Sequence, residues 1–253
     1  MDDHATLCWR VERACAAAWP ARMVDAHHGW AVARSGGGTR RINSASPLSP
    51  AATLDPPALV AILAAYREAA LPAIVRLPTL IAPPASALDA AGFAAAEGAS
   101  TTLALVPGAA PPASIPAGVR VAVDPAPTPA WRAARRHLSL AAGAGADDHL
   151  DPLSRLRAPA WFVAAVVDGT PRAVAFTALT DGIAIVEAVA TDPAWRGRGL
   201  AGVCVAALVD RATAAGAAHV ALQVASDNAA ALALYRRLGF TCHLYDYNYR
   251  RRG

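Results

Sequence analysis

Two Asp-Gly dipeptides, Asp168-Gly169 and Asp181-Gly182, cut one apolar stretch into three short pieces: Trp161 to Val167, Arg172 to Leu179 and Ile183 to Thr191. Asp-Gly suits the two-residue turns whose twist matches that of paired strands, so this stretch reads as an antiparallel meander. Arg196-Gly197-Arg198-Gly199 follows, and then apolar residues at helical spacing, Leu200, Val203, Cys204, Ala207 and Leu208, up to a closing Gly216. A strand His219 to Val224, a helix Ala229 to Leu238 and a strand Thr241 to Tyr249 complete the pattern. Hairpins that lead into strand–helix–strand–helix crossovers predict a mixed α/β layer.

Upstream of the meander the spacing predicts a short strand Val119 to Val123, a helix Pro129 to Leu140 and a second helix around His149 to Arg157. The segment Pro107-Gly108-Ala109-Ala110-Pro111-Pro112-Ala113-Ser114-Ile115-Pro116-Ala117-Gly118 lacks amide donors at its prolines and favours turns at its glycines. It is read as a linker between two domains, residues 1–107 and 118–253. In the first, Trp30 to Arg34 alternates like a strand, and Asp55-Pro56-Pro57 is a helix start, with Asp55 as cap and Pro56 tolerated in the first turn. That helix runs through Leu59, Ile62, Leu63 and Tyr66 to a stop near Pro72, and Ala73 to Leu77 reads as a strand. Leu88 to Val106 then holds a helix end, Gly92-Phe93 and a β-like stretch.

The charge balance of +4 suits an anionic small ligand and is too weak and scattered for a nucleic-acid surface. No stretch approaches the roughly 18 apolar residues of a membrane span, and Met1-Asp2-Asp3-His4 is not followed by the apolar core of a secretory signal. Cys8, Cys15, Cys204 and Cys242 show no CxxC spacing, so reduced thiols in a cytoplasmic protein are expected.

Three segments carry chemistry. A glycine-rich turn between strand and helix, Arg196 to Ala201, can leave free backbone N–H groups at a helix N-terminus where a pyrophosphate would lie, or can simply be a tight connection. A nucleoside-triphosphate loop is excluded, because it needs a lysine and the chain has none. Downstream, Asn228, Ala231 and Tyr235 precede Leu238-Gly239-Phe240, with Asn228 and Tyr235 on one helix face. On its own this second pattern also fits a capped helix with a core tyrosine. Third, Gly36-Gly37-Gly38-Thr39-Arg40-Arg41-Ile42-Asn43-Ser44 places Arg40, Arg41, Asn43 and Ser44 where they would hold a carboxylate or phosphate, or form only a polar turn. Asp147-Asp148-His149-Leu150-Asp151 reads as a helix start and not as a metal site, and Arg250-Arg251-Arg252 as a solvated end.

In this order, the glycine-rich turn and the Asn-x-x-Ala-x-x-x-Tyr-x-x-x-Gly-Phe helix resemble the GNAT superfamily of N-acetyltransferases. The resemblance covers the C-terminal half and implies the GNAT acyl-CoA N-acyltransferase fold there. The N-terminal half, whose Leu88 to Val106 echoes Leu238 to Tyr249, resembles a degenerate copy. The Gly36 to Leu48 segment is similar to one in a bacterial subset of GNAT proteins, some described as N-acetylglutamate synthase-like.

The resemblance implies acetyl-coenzyme A as co-substrate. Arg196, Gly197, Arg198, Gly199, Leu200 and Ala201 would then hold its pyrophosphate, the backbones of Val189 and Thr191 its pantetheine arm and acetyl carbonyl, and Asn228 a further contact. It puts Tyr235 near the thioester sulfur. Glu187, two residues before Val189 on the same strand face, is the candidate base, although a strand carboxylate can equally be paired with an arginine; His219 is a weaker candidate. The expected activity is acetyl transfer to a primary amine of a small molecule, such as an amino acid, by direct attack on the thioester. Acetylation of a protein or peptide, and a non-catalytic acyl-coenzyme A sensor, are the alternatives, and a homodimer is left open. Neither a metal, a nucleic acid nor a membrane is expected as partner.

Overall fold

Both Asp-Gly turns form where the sequence places them. In the computed structural model, which describes residues 3–36, 39–105, 114–141 and 151–253, Asp168, Gly169, Asp181 and Gly182 all take positive φ. They join β7 (Ala160–Val167), β8 (Thr170–Thr180) and β9 (Ile183–Thr191) into the antiparallel meander. Ahead of it lie β6 (Val119–Asp124), which pairs with β7, α4 (Pro129–Ala141) and α5 (Asp151–Arg155). After it come α6 (Leu200–Ala214), β10 (His219–Ala225), α7 (Ala229–Arg237) and β11 (Cys242–Arg252). The linker prolines up to Pro112 and the Asp147 to Leu150 motif lie outside the described residues.

The N-terminal half contains α1 (His4–Ala18), β1 (Met23–His27), β2 (Trp30–Arg34), β3 (Ala45–Pro47), α2 (Pro56–Glu68), β4 (Ala73–Pro78), α3 (Ala85–Ala90) and β5 (Glu97–Ala104). Asp55 caps α2 by accepting from the Ala58 N–H at 2.9 Å, as its place before two prolines requires. The helix α1 was not foreseen. Asp3 caps it, accepting from Thr6 N at 2.8 Å, and its buried face of Cys8, Val11, Cys15 and Ala18 recurs at helical spacing.

Among the described residues the strands form a single sheet in the order β1-β2-β3-β4-β11-β5-β10-β9-β8-β7-β6. Apart from β6, which has no counterpart, the order is palindromic. Antiparallel β1-β2-β3 leads to a parallel β3–β4 pair across α2, as antiparallel β7-β8-β9 leads to a parallel β9–β10 pair across α6. Each half then gives its last strand to the other: β11 pairs with β4, and β5 with β10, while β5 and β11 meet at the centre.

Strand alternation separates two faces. Ala173, Ala175, Ala184 and Val186 pack with α6, while Val174, Phe176, Ile183 and Ile185 point the other way, against α1 and α4. The mixed sheet therefore lies between two helical layers, as the α/β reading expects.

Arg250 corrects the expectation of a solvated end, while Arg251 and Arg252 are exposed as expected. Arg250, Arg251 and Arg252 pair with Val75, Ile74 and Ala73 of β4. The Arg250 guanidinium is buried: it donates to the Ala94 carbonyl, to the Phe93 carbonyl at 2.9 Å and to Asp89 at 2.7 Å, so it fastens the end of α3 to the sheet. Arg250→Ala leaves the buried Phe93 carbonyl without its donor and should cost about 2 kcal/mol of stability, read as a lower urea midpoint with unchanged slope. An unmoved midpoint would mean that this grip contributes nothing.

Candidate active site

The strands β9 and β10 run in parallel register from Ile183↔His219 to Val186↔Leu222, and beyond that they no longer pair. The edge of β9 from Glu187 to Thr191 is thereby released on its β10 side. On its other side the register with β8 slips between Phe176↔Glu187 and Val174↔Ala190, so β9 carries one residue more than β8. Ala188, at a φ of 56°, is the residue in the left-handed region there. Such a bulge bends the strand and re-aims its side chains, and bulges recur beside active sites. Val189 and Thr191 follow it on the released segment.

Beyond β9, the turn from Arg196 to Gly199 is exposed, and Gly197 and Gly199 take φ of 75° and 80°. A Cβ at Gly197 would meet nothing within 4 Å, so backbone conformation and not crowding calls for glycine. Gly199 caps α6 in the left-handed conformation with no side-chain hydrogen bond to the helix. The first-turn N–H groups, including those of Leu200 and Ala201, thus have no side-chain cap, and Arg198 is stacked 4.4 Å from the Trp195 ring beside them. The equivalent start of α2 is different: Pro56 and Pro57 supply no N–H, and the Asp55 carboxylate occupies the first turn. Asn228 caps α7, its side chain accepting from Ala231 N at 3.1 Å, so its oxygen is engaged in the helix.

Glu187 is buried and held by Arg41, whose Nη2 donates to its Oε2 at 2.8 Å. Two residues named separately from the sequence, one from each half, thus form an ion pair. The other oxygen, Glu187 Oε1, is buried with no hydrogen-bond partner among the described residues. Tyr235 lies in the core on the α6–α7 side, edge-on to Phe240 with 6.0 Å between ring centroids. Burial, and then the charge of Glu187, push its hydroxyl up to about 12. Burial pulls the Arg135 guanidinium on α4 below its usual value, with Glu187 opposing.

Behind this pair runs a polar seam that sequence reading missed. Arg41 Nη1 donates to Gln223 Oε1 at 2.9 Å, and Tyr247 donates to the same oxygen at 3.2 Å. Tyr245 donates to Glu12 Oε2 at 2.6 Å, and Glu12 in turn is bound by Arg76, whose guanidinium lies 3.8 Å from the Tyr247 ring. Signals were present: Arg76 is the lone charge in the apolar strand Ala73–Pro78, and Tyr245, Tyr247 and Tyr249 alternate along one face of β11.

The remaining expected residues separate. Arg40 pairs with Glu97 at 2.9 Å and sits over Tyr249, away from Glu187. Asn43 accepts from the N–H groups of Ser35 at 2.8 Å and Gly36 at 3.1 Å, which closes the loop after β2. Ser44 is fully buried, its hydroxyl without a partner among the described residues. His219 is level with Ile183, at the far end of β9 from the glycine-rich turn.

Comparison with known proteins places this architecture. A family model described as "Probable histone acetyltransferase Rv0428c C-terminal" matches residues 8–249. No curated protein matches the sequence. A GCN5-related N-acetyltransferase from Kribbella flavida superposes with a TM-score of 0.76 at 22% identity, over 99% of this chain and 96% of that one. A functionally unknown conserved protein from Staphylococcus epidermidis gives 0.67 at 12% identity, over 92% and 94%. A tandem GNAT protein from the clavulanic acid biosynthesis pathway gives 0.59 at 18% identity, over 83% and 74%. At these identities the likeness is one of fold, whereas the family match spans nearly the whole sequence: the chain belongs to this acetyltransferase family and is a GNAT acyltransferase.

Proposed function

We propose that this enzyme transfers an acetyl group from acetyl-coenzyme A to a primary amine of a small molecule, with residues 118–253 carrying the reaction and residues 1–107 a GNAT-like half that has lost its own phosphate cradle. The observation that carries the reading is Glu187: a buried carboxylate at a strand bulge, anchored through one oxygen by Arg41 and open at the other, beside the released edge of β9. GNAT proteins use acetyl- or acyl-coenzyme A, and the uncapped start of α6 suits its pyrophosphate. No helix among the described residues is long and apolar enough to cross a membrane. The four cysteines are free, which suits a cytoplasmic enzyme.

In this mechanism the neutral amine attacks the thioester carbonyl carbon, and the carbon–sulfur bond breaks as the amide forms. Backbone groups of Val189 and Thr191 on the released strand orient and polarise the carbonyl, where a correctly aimed N–H stabilises the developing oxyanion. Glu187 Oε1 takes the proton that the amine must lose, directly or through water, and Tyr235 gives its proton to the departing thiolate. A protein or peptide acceptor is the second reading, which the description of the matching family favours.

Thiol release from acetyl-coenzyme A across amino acids, polyamines and histone-tail peptides tests both readings. Small-molecule-dependent release is expected; release with peptides alone would move the assignment to protein acetylation, and cofactor binding with no release to a sensor. Tyr235→Phe should lower kcat about 100-fold while the Kd for acetyl-coenzyme A stays within a factor of two; equal turnover would remove Tyr235 from the mechanism.

Gly199→Asp adds a negative charge and forces a side chain onto a φ of 80° at the head of α6. Calorimetry should find acetyl-coenzyme A binding abolished, and unchanged affinity would remove the cradle. Because the Tyr235 proton is held up to about 12, it is still present well above pH 10, and its loss should not limit kcat before then. An alkaline fall in kcat near pH 10 that disappears in Tyr235→Phe would contradict this.

A further inference from the structure

A cavity of about 160 Å³ opens between α1 and the inner faces of β2, β3 and β4, on the side of the sheet that carries Glu187. Its walls are largely apolar and include Trp9, Ala33 and Ile42. Polar residues break that lining: Glu12, whose carboxylate is already held by Arg76 and Tyr245, Arg13, Arg41 and Ser46, and three that carry buried donors with no partner among the described residues, Trp19 Nε1, the Ser44 hydroxyl and Arg76 Nε. The last three residues are 4%, 0% and 3% exposed, so bulk water does not serve them. A buried donor without an acceptor is costly, and several around one apolar space mark the place of an acceptor-rich group.

Arg41 also lines the cavity, and its far side holds Glu187, whose free Oε1 is an acceptor wanting a donor. Unmet donors at the cavity and an unmet acceptor behind Arg41 have the polarity of one molecule, with oxygen at one end and nitrogen at the other. A dry apolar cavity of about 150 Å³ takes a body the size of benzene.

We propose that this cavity, built by the N-terminal half, binds the acetyl acceptor, and that the acceptor is a small amino carboxylate with an apolar skeleton. Its carboxylate accepts from Trp19, Ser44 and Arg76, its hydrocarbon body fills the space against Trp9 and Ile42, and its amine reaches past Arg41 towards Glu187. A lysine side chain within a peptide has no carboxylate of its own to give these donors. The assignment of the amine as acceptor rests on the acetyl-transfer reading above; the cavity's choice of ligand does not.

Calorimetry on the full chain, without acetyl-coenzyme A, tests the site with three acids whose amine lies at the far end of the hydrocarbon body, 4-aminobutyrate, 5-aminovalerate and 6-aminohexanoate, each beside its carboxamide. At least one acid is expected to bind ten or more times tighter than its amide. Ser44→Ala, and separately Trp19→Phe, should each weaken that acid at least fivefold and leave the amide within twofold. Equal affinities for acid and amide, or no binding by any of the three acids, overturns the proposal. Thiol release measured in parallel separates the two readings. Release with histone-tail peptides and no binding by the acids overturns the cavity assignment and keeps acetyl transfer. Binding of an acid with the predicted response to Ser44→Ala, but no release to any amine, keeps the cavity's ligand and overturns its role as acceptor.

Discussion

Strand β11 is hydrogen-bonded along both edges, to β4 on one side and to β5 on the other, and β5 continues the sheet into β10. Everything else in the molecule rests on this exchange. Without it each half would present the open edge of a short sheet, with a row of unpaired N–H and C=O groups. With it, β11 and β5 are each paired along both edges and both faces of the sheet become continuous from one half to the other. The side chains of β4, β11, β10 and β9 can then touch across the junction, which is why Arg41 of the first half can hold Glu187 of the second.

The two halves share a layout and differ at one decisive point. After β9 the chain makes an exposed glycine turn and enters α6 with its first amides free; after β3 it enters α2 through Asp55 and two prolines, which use up or remove the same groups. The first half therefore repeats the strand–helix–strand layout of the second without free amides at its helix start. What it contributes instead lies on the opposite face, in α1, Arg41, Ser44 and Arg76. A buried ion pair between two halves of a chain is not by itself stabilising, and the seam from Glu12 to Glu187 has more to do with fixing where each carboxylate stands than with holding the fold.

What could be read from the sequence was what is local. Asp-Gly turns, the Asp55-Pro56-Pro57 helix start and the glycine run before α6 act over a few residues, so their chemistry fixes their structure wherever they occur. Strands β1 and β3 escaped because they are short and each is held by its pairing with β2, which tertiary packing completes. Arg250 looked like a charged end because nothing near it in sequence reveals the carbonyls of Phe93 and Ala94. For the site, Glu187, Tyr235 and Arg41 were legible as types in a pattern. That Arg41 reaches Glu187, while Arg40 turns to Glu97 and Asn43 to its own loop, follows from long-range pairing that spacing does not encode.

The exchange of final strands also orders events in time. Both β4 and β5 leave the ribosome long before the strand that will lie between them, and until β11 arrives each has one edge with no neighbour from its own chain. Contacts that span most of the sequence close slowly, and an open edge in the meantime can pair with another chain. The first half is thus a receptive but incomplete sheet until β11 has been made, and that strand turns it into part of an enzyme.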